Sequence, residues 1–294
     1  MTGPANTYIG TSGWSYPKGE GTWKGYFYPS GKINELEYYS QFFNTVELNS
    51  SFYRPPNPGY VYNWVKCTPP DFRFAVKLWQ KFTHPKMYEQ ATGEEAVISQ
   101  ADVELFERSL EPLVKTGKLG ALLAQFPPSF KNDGNGRQIL EAVARTFGRY
   151  PLAVELRHRS WSDDESTAGF LRGNNIAWVQ IDEPKFKTSV AAEVPLTTGM
   201  AYFRFHGRNA KDWWTGDSET RYRYLYSPEE IEELAAVVSA AAGEVETMFA
   251  FFNNHWQGYA PRNAVDLKKS LQLPFSEIPV QLGALQDDKI TADE

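Results

Sequence analysis

The feature that most constrains the fold is a repeated alternation of strand-like and helix-like segments along the chain. Eight short runs rich in β-branched and aromatic residues occupy 8–14, 45–53, 73–82, 120–127, 152–161, 176–182, 200–208 and 248–255. Helical patterns follow most of these runs, although the stretch at 186–199 is irregular. Such alternation predicts parallel strands joined by helical crossovers. Eight units predict closure into a single (β/α)8 barrel of the TIM type.

An open, doubly wound sheet is the rival architecture. It would require a glycine-rich phosphate turn of the form G-x-G-x-x-G after the first strand, and the segment GTSGWSY at 10–16 lacks that spacing. A chain of 294 residues can form one α/β barrel. We therefore expect a single barrel domain at 1–274 and a C-terminal extension at 275–294, partly mobile because it is polar and acidic.

Charge and hydropathy limit the classes of partner. The net charge is −6 and the isoelectric point is near 5.4, whereas proteins that bind nucleic acid nonspecifically usually carry a broad basic face. The N-terminus has no secretory signal pattern, and no apolar run has membrane length. These features predict a cytoplasmic protein without a membrane partner, for which nucleic acid is not the favoured ligand.

Polar residues concentrate at the C-terminal ends of the predicted strands, where barrel enzymes place their chemistry. Side chains alternate between the two faces of a strand, and in most strands one parity class becomes polar toward this end. We expect that class to converge on the barrel axis. The candidate catalytic residues are Glu47, Lys77, Glu155, Asp182 and His206.

Two loops suggest the charge of the substrate. The HGR segment after the seventh strand and the NNHWQGYAPRNA segment after the eighth strand occupy the usual phosphate-binding position of barrels. Rim aromatics and a long aromatic loop at 211–227 could cover a ligand. The candidate substrate-binding residues are Asn49, Tyr53, Arg157, Trp161, Arg204, Gly207, Arg208, Asn253, Asn254 and His255.

The same charges could instead form a structural network across the barrel. In that alternative Lys77, Arg157 and Arg204 neutralise the carboxylates, because an unpaired buried charge is costly. Lys77 could form a Schiff base if it were desolvated, whereas a Lys77 paired with Glu47 would be protonated and inert.

No metal site and no cofactor are predicted. The chain has no HExxH motif, cysteine–histidine cluster, P-loop, nucleophile elbow or dinucleotide fingerprint. A divalent metal stays an alternative, because Glu47, Glu155, Asp182 and His206 are acceptable ligand types.

Several motifs in order resemble the YecE-like family, domain of unknown function seventy-two. They are IGTSGWSY, TVELNSSFYRPP, FAVKLWQKFTHP, AVELRHRSW, YFRFHGR and FNNHWQGYAPRNA, which together span about residues 8–273. The resemblance implies a (β/α)8-type barrel and no particular reaction. It marks as motif positions Glu47, Asn49, Tyr53, Lys77, His84, Glu155, Arg157, Trp161, Arg204, His206, Gly207, Asn253 and Asn254.

Two classes of function are consistent with these residues. The first is a metal-independent enzyme of hydrolase or lyase type, acting on a small anionic substrate that carries phosphate. The second is a protein that holds a nucleotide or a single-stranded nucleic-acid end without turnover. A metal-dependent phosphoesterase or nuclease is a further alternative. Glycoside hydrolysis is weaker, because neighbouring cations would keep both carboxylates ionised.

Overall fold

A computed structural model describes residues 6–216 and 220–279, and in this part of the chain nine parallel strands form one sheet. The strands are β1 (Asn6–Ser12), β2 (Thr45–Leu48), β3 (Arg73–Lys77), β4 (Leu119–Gln125), β5 (Leu152–Glu155), β6 (Ile176–Trp178), β7 (Gln180–Asp182), β8 (Met200–Phe205) and β9 (Thr247–Phe252). Their order in the sheet is β6-β5-β4-β3-β2-β1-β9-β8-β7. The two edge strands, β6 and β7, follow each other directly in the chain. The sheet is therefore a nearly closed barrel, which confirms the predicted fold class.

The sixth predicted strand changes its pairing partner part-way along. Its first half, β6, pairs with β5, while its second half, β7, pairs with β8. Val179 lies between the two halves and donates its N–H to the Val154 carbonyl oxygen at 3.0 Å. We call this junction of β6 and β7 the seam, because it is where the two edges of the sheet meet.

Helices cover the barrel at α1 (Glu35–Tyr39), α2 (Pro58–Lys66), α3 (Gln80–Thr83), α4 (Pro85–Thr92), α5 (Gln100–Lys115), α6 (Gly134–Phe147), α7 (Ser166–Gly173), α8 (Pro228–Ala242) and α9 (Tyr259–Ser270). Helices therefore follow most of the predicted strand runs, as the alternation of the sequence indicates. Between β7 and β8 the chain has no helix, as expected.

Helix α8 shows how the sequence determines an element. Ser227 and Glu230 form a reciprocal capping box and Pro228 occupies the first turn, which satisfies otherwise unpaired N–H groups. Ile231, Leu234 and Val238 recur at helical spacing and are buried. This apolar stripe packs the helix against the barrel wall.

Most strands end several residues earlier than predicted. The run predicted at 45–53 stops at Leu48 and continues as a 3-10 turn over Ser50–Phe52, and the run at 152–161 stops at Glu155. Many motif residues therefore lie in loops just beyond the strands. Parallel register still places Glu47 beside Ala75 and Gln125 beside Glu155, which sets side chains of neighbouring strands on the same face.

Residues 275–279 belong to the predicted C-terminal extension and run along the outside of the domain, where Ser276 Oγ donates to the Gln41 carbonyl oxygen at 3.1 Å. The rest of the predicted extension, 280–294, lies outside the described residues. In the described ranges no helix combines the length and apolarity needed to cross a membrane.

Candidate functional site

Arg204 lies at the centre of a buried charge network inside the barrel. Its Nε donates to Glu47 Oε2 at 2.9 Å, its Nη2 donates to Glu47 Oε1 at 2.7 Å, and its Nη1 donates to Glu155 Oε2. Tyr202 adds a hydroxyl bond to Glu47 Oε2 at 2.7 Å. Glu47 and Glu155 are fully buried and Arg204 is 2% exposed. The three donor nitrogens of Arg204 are thus all engaged within the protein.

The guanidinium groups keep these carboxylates ionised. Burial alone would raise the pKa of Glu47, but Arg204 outweighs burial and holds the pKa below its usual value. For Glu155 the opposing charges are Arg157 and Arg204, and its pKa lies well below the usual range. Opposite charges at contact distance favour the charged form.

Arg157 links this network to a third carboxylate that the sequence did not predict. Its Nε donates to Glu155 Oε1 at 2.6 Å, and its Nη1 lies 3.4 Å from Glu183 Oε2. Burial raises the pKa of Glu183, because Arg157 only partly offsets the loss of water. Glu155 and Glu183 therefore differ in protonation tendency while sharing one arginine, a pattern that separates base from acid in active sites.

His206 is completely buried beside the two arginines. Its Nε2 lies 3.3 Å from Arg157 Nη2, and its Nδ1 lies 2.9 Å from Asn253 Nδ2. Burial and the charge of Arg204 lower its pKa to about 4, so the ring is neutral at pH 7. The Trp213 and Tyr222 rings cover it at 6.3 and 6.2 Å.

Lys77 projects into the mouth from the end of β3 without a carboxylate partner. Its Nζ lies 4.0 Å from the centre of the Phe52 ring, and no ion pair within 6–216 and 220–279 involves it, because Glu47 and Glu155 are bound by arginines. Burial, together with the charge of Arg204, lowers its pKa to about 7. The side chain remains partly exposed.

His84 packs against the same aromatic ring as Lys77. The His84 and Phe52 ring centres are 4.9 Å apart, edge to face, and Thr83 Oγ1 lies 2.9 Å from His84 Nδ1. Burial and the nearby Lys77 charge lower the pKa of His84 to about 4. A partly exposed neutral imidazole thus adjoins the amine. His84 follows the predicted third strand, and this position at the strand end was the signal for it.

Asp182 does not reach the barrel axis, contrary to the parity prediction. The β7–β8 register aligns Asp182 with Phe205 and Ile181 with Arg204, so Asp182 faces the outer wall. There it accepts from Arg208 Nη2 at 2.9 Å and from the Tyr226 hydroxyl at 2.7 Å. The polar parity class of the sixth strand, Gln180 and Asp182, is therefore the outer one.

Arg208 and Gly207 are also engaged within the chain. Besides Asp182, Arg208 Nη1 contacts Glu230 and Glu233 of α8 at 3.1 and 3.2 Å. The Gly207 N–H, expected to face an anion, donates to the Tyr226 hydroxyl at 2.9 Å. These contacts anchor α8 to the loop after β8.

Two further predicted binding residues lie away from the mouth. Trp161 is fully buried and donates its Nε1 to the Phe130 carbonyl oxygen at 2.9 Å. Asn254 is buried and donates to the Tyr224 carbonyl oxygen and to Asn263 Oδ1, both at 2.8 Å. Trp161 and Asn254 were predicted to bind substrate, but their side chains hold loops in place. Asn253 faces the interior beside His206.

The remaining predicted residues line the rim. Tyr53 is 68% exposed. The buried Asn49 Oδ1 finds no hydrogen-bond partner among the described residues. His255 stacks on Tyr16 with ring centres 4.5 Å apart, and its carbonyl oxygen accepts from Trp23 Nε1. Of the predicted aromatic loop, 217–219 lie outside the described residues.

The remaining histidine, at position 158, caps a 3-10 turn by accepting from the Ser160 N–H at 3.1 Å. Its charged neighbours are Lys131, Arg159 and Asp163, so it lies outside the central network. As for metals, residues 6–216 and 220–279 contain no group of three or more His, Cys, Asp or Glu side chains placed to hold an ion.

The sequence profile described as "Protein of unknown function DUF72" matches residues 8–287. The chain belongs to the DUF72 family. This confirms the resemblance inferred from the motifs, and the matched region contains the whole Arg204 network together with Lys77 and His84.

Relatives of this DUF72 chain match it over most of its length. It is 30% identical over 292 residues to UPF0759 protein YunF of Bacillus subtilis, covering 94% of this chain and 98% of that one. It is similar in structure to a DUF72 family protein of Thermotoga maritima, with TM-score 0.79, 39% identity and coverage of 91% and 99%. A DUF72 family protein of Enterococcus faecalis also has TM-score 0.79, with 27% identity and coverage of 92% and 98%.

Proposed function

We propose that this DUF72 chain is an enzyme that binds a small anionic molecule at the barrel mouth and acts on it by acid–base chemistry of hydrolase or lyase type. The observation that carries the proposal is Lys77, a partly exposed amine beside the central network that forms no ion pair with a carboxylate of the described residues. A cation held without a counter-ion is poised to receive one from a ligand.

Arg157 supplies the second cationic contact. Its side chain is 12% exposed, whereas Arg204 is 2% exposed and fully bonded. An anionic group entering the mouth would therefore meet Lys77 and Arg157, while Arg204 holds the carboxylates beneath them. This moves the proposed anion site away from the loops after β8 and β9 and toward β3 and β5.

Groups suited to proton transfer surround that position. Glu155 is ionised, burial favours the protonated form of Glu183, and His84 is neutral and partly exposed. Acid–base catalysis requires a proton donor and a proton acceptor at one site. The buried Asn49 Oδ1, which lacks a partner among the described residues, is an acceptor that can orient a ligand hydroxyl. No step of the proposal uses a metal or an organic cofactor.

Thermal-shift measurements with inorganic phosphate, phosphosugars and nucleotides test the binding step. A ligand present at 100 times its dissociation constant stabilises the native state by about 2.7 kcal/mol, which is readily measured. The test variant is Lys77→Met. The matched control is Lys86→Met, because Lys86 is an exposed lysine on the neighbouring helix α4.

We expect an anionic class to raise the melting temperature of wild type and of Lys86→Met, and to lose its effect in Lys77→Met. Equal stabilisation of all three proteins would place the anion elsewhere. If all three were stabilised by divalent cations and none by anions, the metal-dependent alternative would replace this proposal.

A non-catalytic nucleotide or single-stranded nucleic-acid binder is a second candidate, favoured by the exposed rim aromatics. Tyr53 is 68% exposed and Trp214 is 58% exposed, and stacking of one base on an aromatic ring contributes about 1–3 kcal/mol. This candidate predicts that Tyr53→Ala weakens binding of a short oligothymidylate by about tenfold. Lys77→Met would then reduce affinity only modestly.

A further inference from the structure

We propose that Lys77 is a nucleophile that forms an imine with the carbonyl group of the substrate. The inference rests on the proposed function, because it assigns a carbonyl group to the same small anionic ligand. It also narrows hydrolase or lyase chemistry to lyase chemistry.

The position of Lys77 favours attack on a bound molecule. The side chain leaves the C-terminal end of β3, lies over the Phe52 ring with Nζ 4.0 Å from its centre, and keeps partial exposure toward the mouth. Glu47 and Glu155, the carboxylates whose charges act on it, are both held by Arg204. The amine is therefore close to the carboxylates without being ion-paired to them.

The surroundings of Lys77 also favour its neutral, nucleophilic form. Burial and the Arg204 guanidinium lower the pKa of the amine to about 7, which is how lysines that form imines are activated. About half of the Lys77 amines are then unprotonated at pH 7. An ordinary lysine with a pKa near 10.4 is unprotonated in only about one molecule in 2,500 at that pH.

The covalent step balances without an oxidant or a reductant. The Nζ lone pair of the neutral amine forms a bond to the carbonyl carbon, and the carbonyl oxygen takes up one proton from the amine and one from solvent and leaves as water. The resulting protonated imine accepts the electron pair released when a neighbouring C–H or C–C bond breaks. His84, neutral at pH 7 and packed on the same Phe52 ring, is the base assigned to take the proton. Protonation of the enamine carbon by the His84 imidazolium restores the protonated imine, and addition of water to it then returns the amine and releases a carbonyl product.

Reductive trapping tests the proposal without a known substrate. The full-length protein is incubated at pH 7 with glyoxylate, a small anionic aldehyde, and sodium cyanoborohydride, which reduces an imine to a stable carboxymethyl amine. Peptide mass spectrometry then gives the rate of modification at each lysine. We expect Lys77 to be modified at least about tenfold faster than the exposed Lys86 of the same molecules, because burial and Arg204 raise the neutral fraction of the Lys77 amine.

The variants separate specific from general modification. The Lys77→Met protein should lose the rapidly modified lysine, whereas the Lys86→Met protein should keep it. A Lys77 that reacts no faster than Lys86, with glyoxylate and with the uncharged formaldehyde alike, would overturn the imine proposal. If anions still raised the melting temperature in that case, the proposed anion-binding function would stand without the imine.

The comparison of the two aldehydes also detects the case in which the amine is reactive but the proposed anion-binding function fails. Rapid modification of Lys77 by formaldehyde, with no added preference for glyoxylate relative to Lys86, would support the reactive amine. It would also show that the mouth does not select an anion. A preference for glyoxylate that inorganic phosphate suppresses supports both proposals.

Discussion

Replacing Arg204 by methionine tests whether the central network is a fixed structural support beneath the site. The substitution keeps an unbranched side chain in the barrel but removes the three Arg204 donors that reach Glu47 and Glu155. Glu155 would keep Arg157 at 2.6 Å, whereas Glu47 would keep the neutral Tyr202 hydroxyl at 2.7 Å and no arginine. The variant therefore leaves one buried carboxylate, Glu47, without its arginine partner.

The expected magnitude follows from that count. Removing one partner of a buried ion pair lowers the free energy of unfolding by about 3–5 kcal/mol, against a total of about 5–15 kcal/mol for a typical domain. Urea unfolding at pH 7, followed by tryptophan fluorescence, measures the difference. The double variant Arg204→Met/Glu47→Gln should recover part of the loss, because the amide removes the uncompensated charge.

The pH dependence checks the cause. In wild type the pKa values of Glu47 and Glu155 lie below the unfolded value of about 4.3, so their pairing stabilises the fold above that pH and is lost as the pH falls. In Arg204→Met the pKa of Glu47 rises through burial, and the deficit should shrink as the pH falls from 7 toward about 5.

An Arg204→Met protein that unfolds at the wild-type urea concentration would refute this reasoning. A deficit of equal size in the double variant would also refute it, since the loss would then come from packing. Arg159→Met, which removes an exposed pair with Asp163, serves as a control and should unfold like wild type.

Three further outcomes are expected. Gly207→Ala should cost about 1–3 kcal/mol in urea unfolding, because φ is +86° and a Cβ would lie 2.7 Å from Tyr224 Cβ; a wild-type midpoint would contradict this. Tyr226→Phe should cost about 1–2 kcal/mol, since its hydroxyl joins Asp182 to the Gly207 N–H, and an unchanged midpoint would count against that link. His206 has a folded pKa of about 4, below its unfolded value, so stability falls as pH drops from about 6.5 to 4. His206→Gln should flatten that slope by about 1 kcal/mol per pH unit, and an unaltered slope in urea titrations at several pH values would exclude this assignment.

The barrel was predictable because strand and helix signals alternate throughout the chain, and parity located Glu47, Lys77, Glu155, Arg204 and His206 on the interior. Glu47 and Arg204 lie in strands that pair in unbroken register with both neighbours, so their alternation is preserved from the sequence to the sheet. The prediction for Asp182 was wrong because this strand carries polar residues on its outer face, where Arg208 and Tyr226 bind Asp182. Glu183, the next residue and of opposite parity, was the interior carboxylate.

Motif membership alone did not separate residues at the barrel mouth from residues that anchor loops. Trp161 and Asn254 stand in motifs as prominent as those of Lys77, yet they bond carbonyl groups of distant loops. Their roles depend on partners more than twenty residues away in the sequence. For the same reason the sequence did not decide whether Lys77 pairs with Glu47. Tyr202 and Arg204, which bind Glu47 instead, come from a strand far along the chain.

The seam at Val179 gives the barrel an expected order of opening. Seven strands, from β5 through β1 and β9 to β8, form a continuous ladder, whereas β6 and β7 are each held on one side by three registered residues. In native-state hydrogen exchange, amides of short elements with few backbone pairings exchange through local opening before the whole fold unfolds. The amides of 176–182 should therefore exchange ahead of those in β1 and β9. Local opening would then separate the barrel strands near Glu183 and Arg157, while Lys77 would stay on the strands that remain paired.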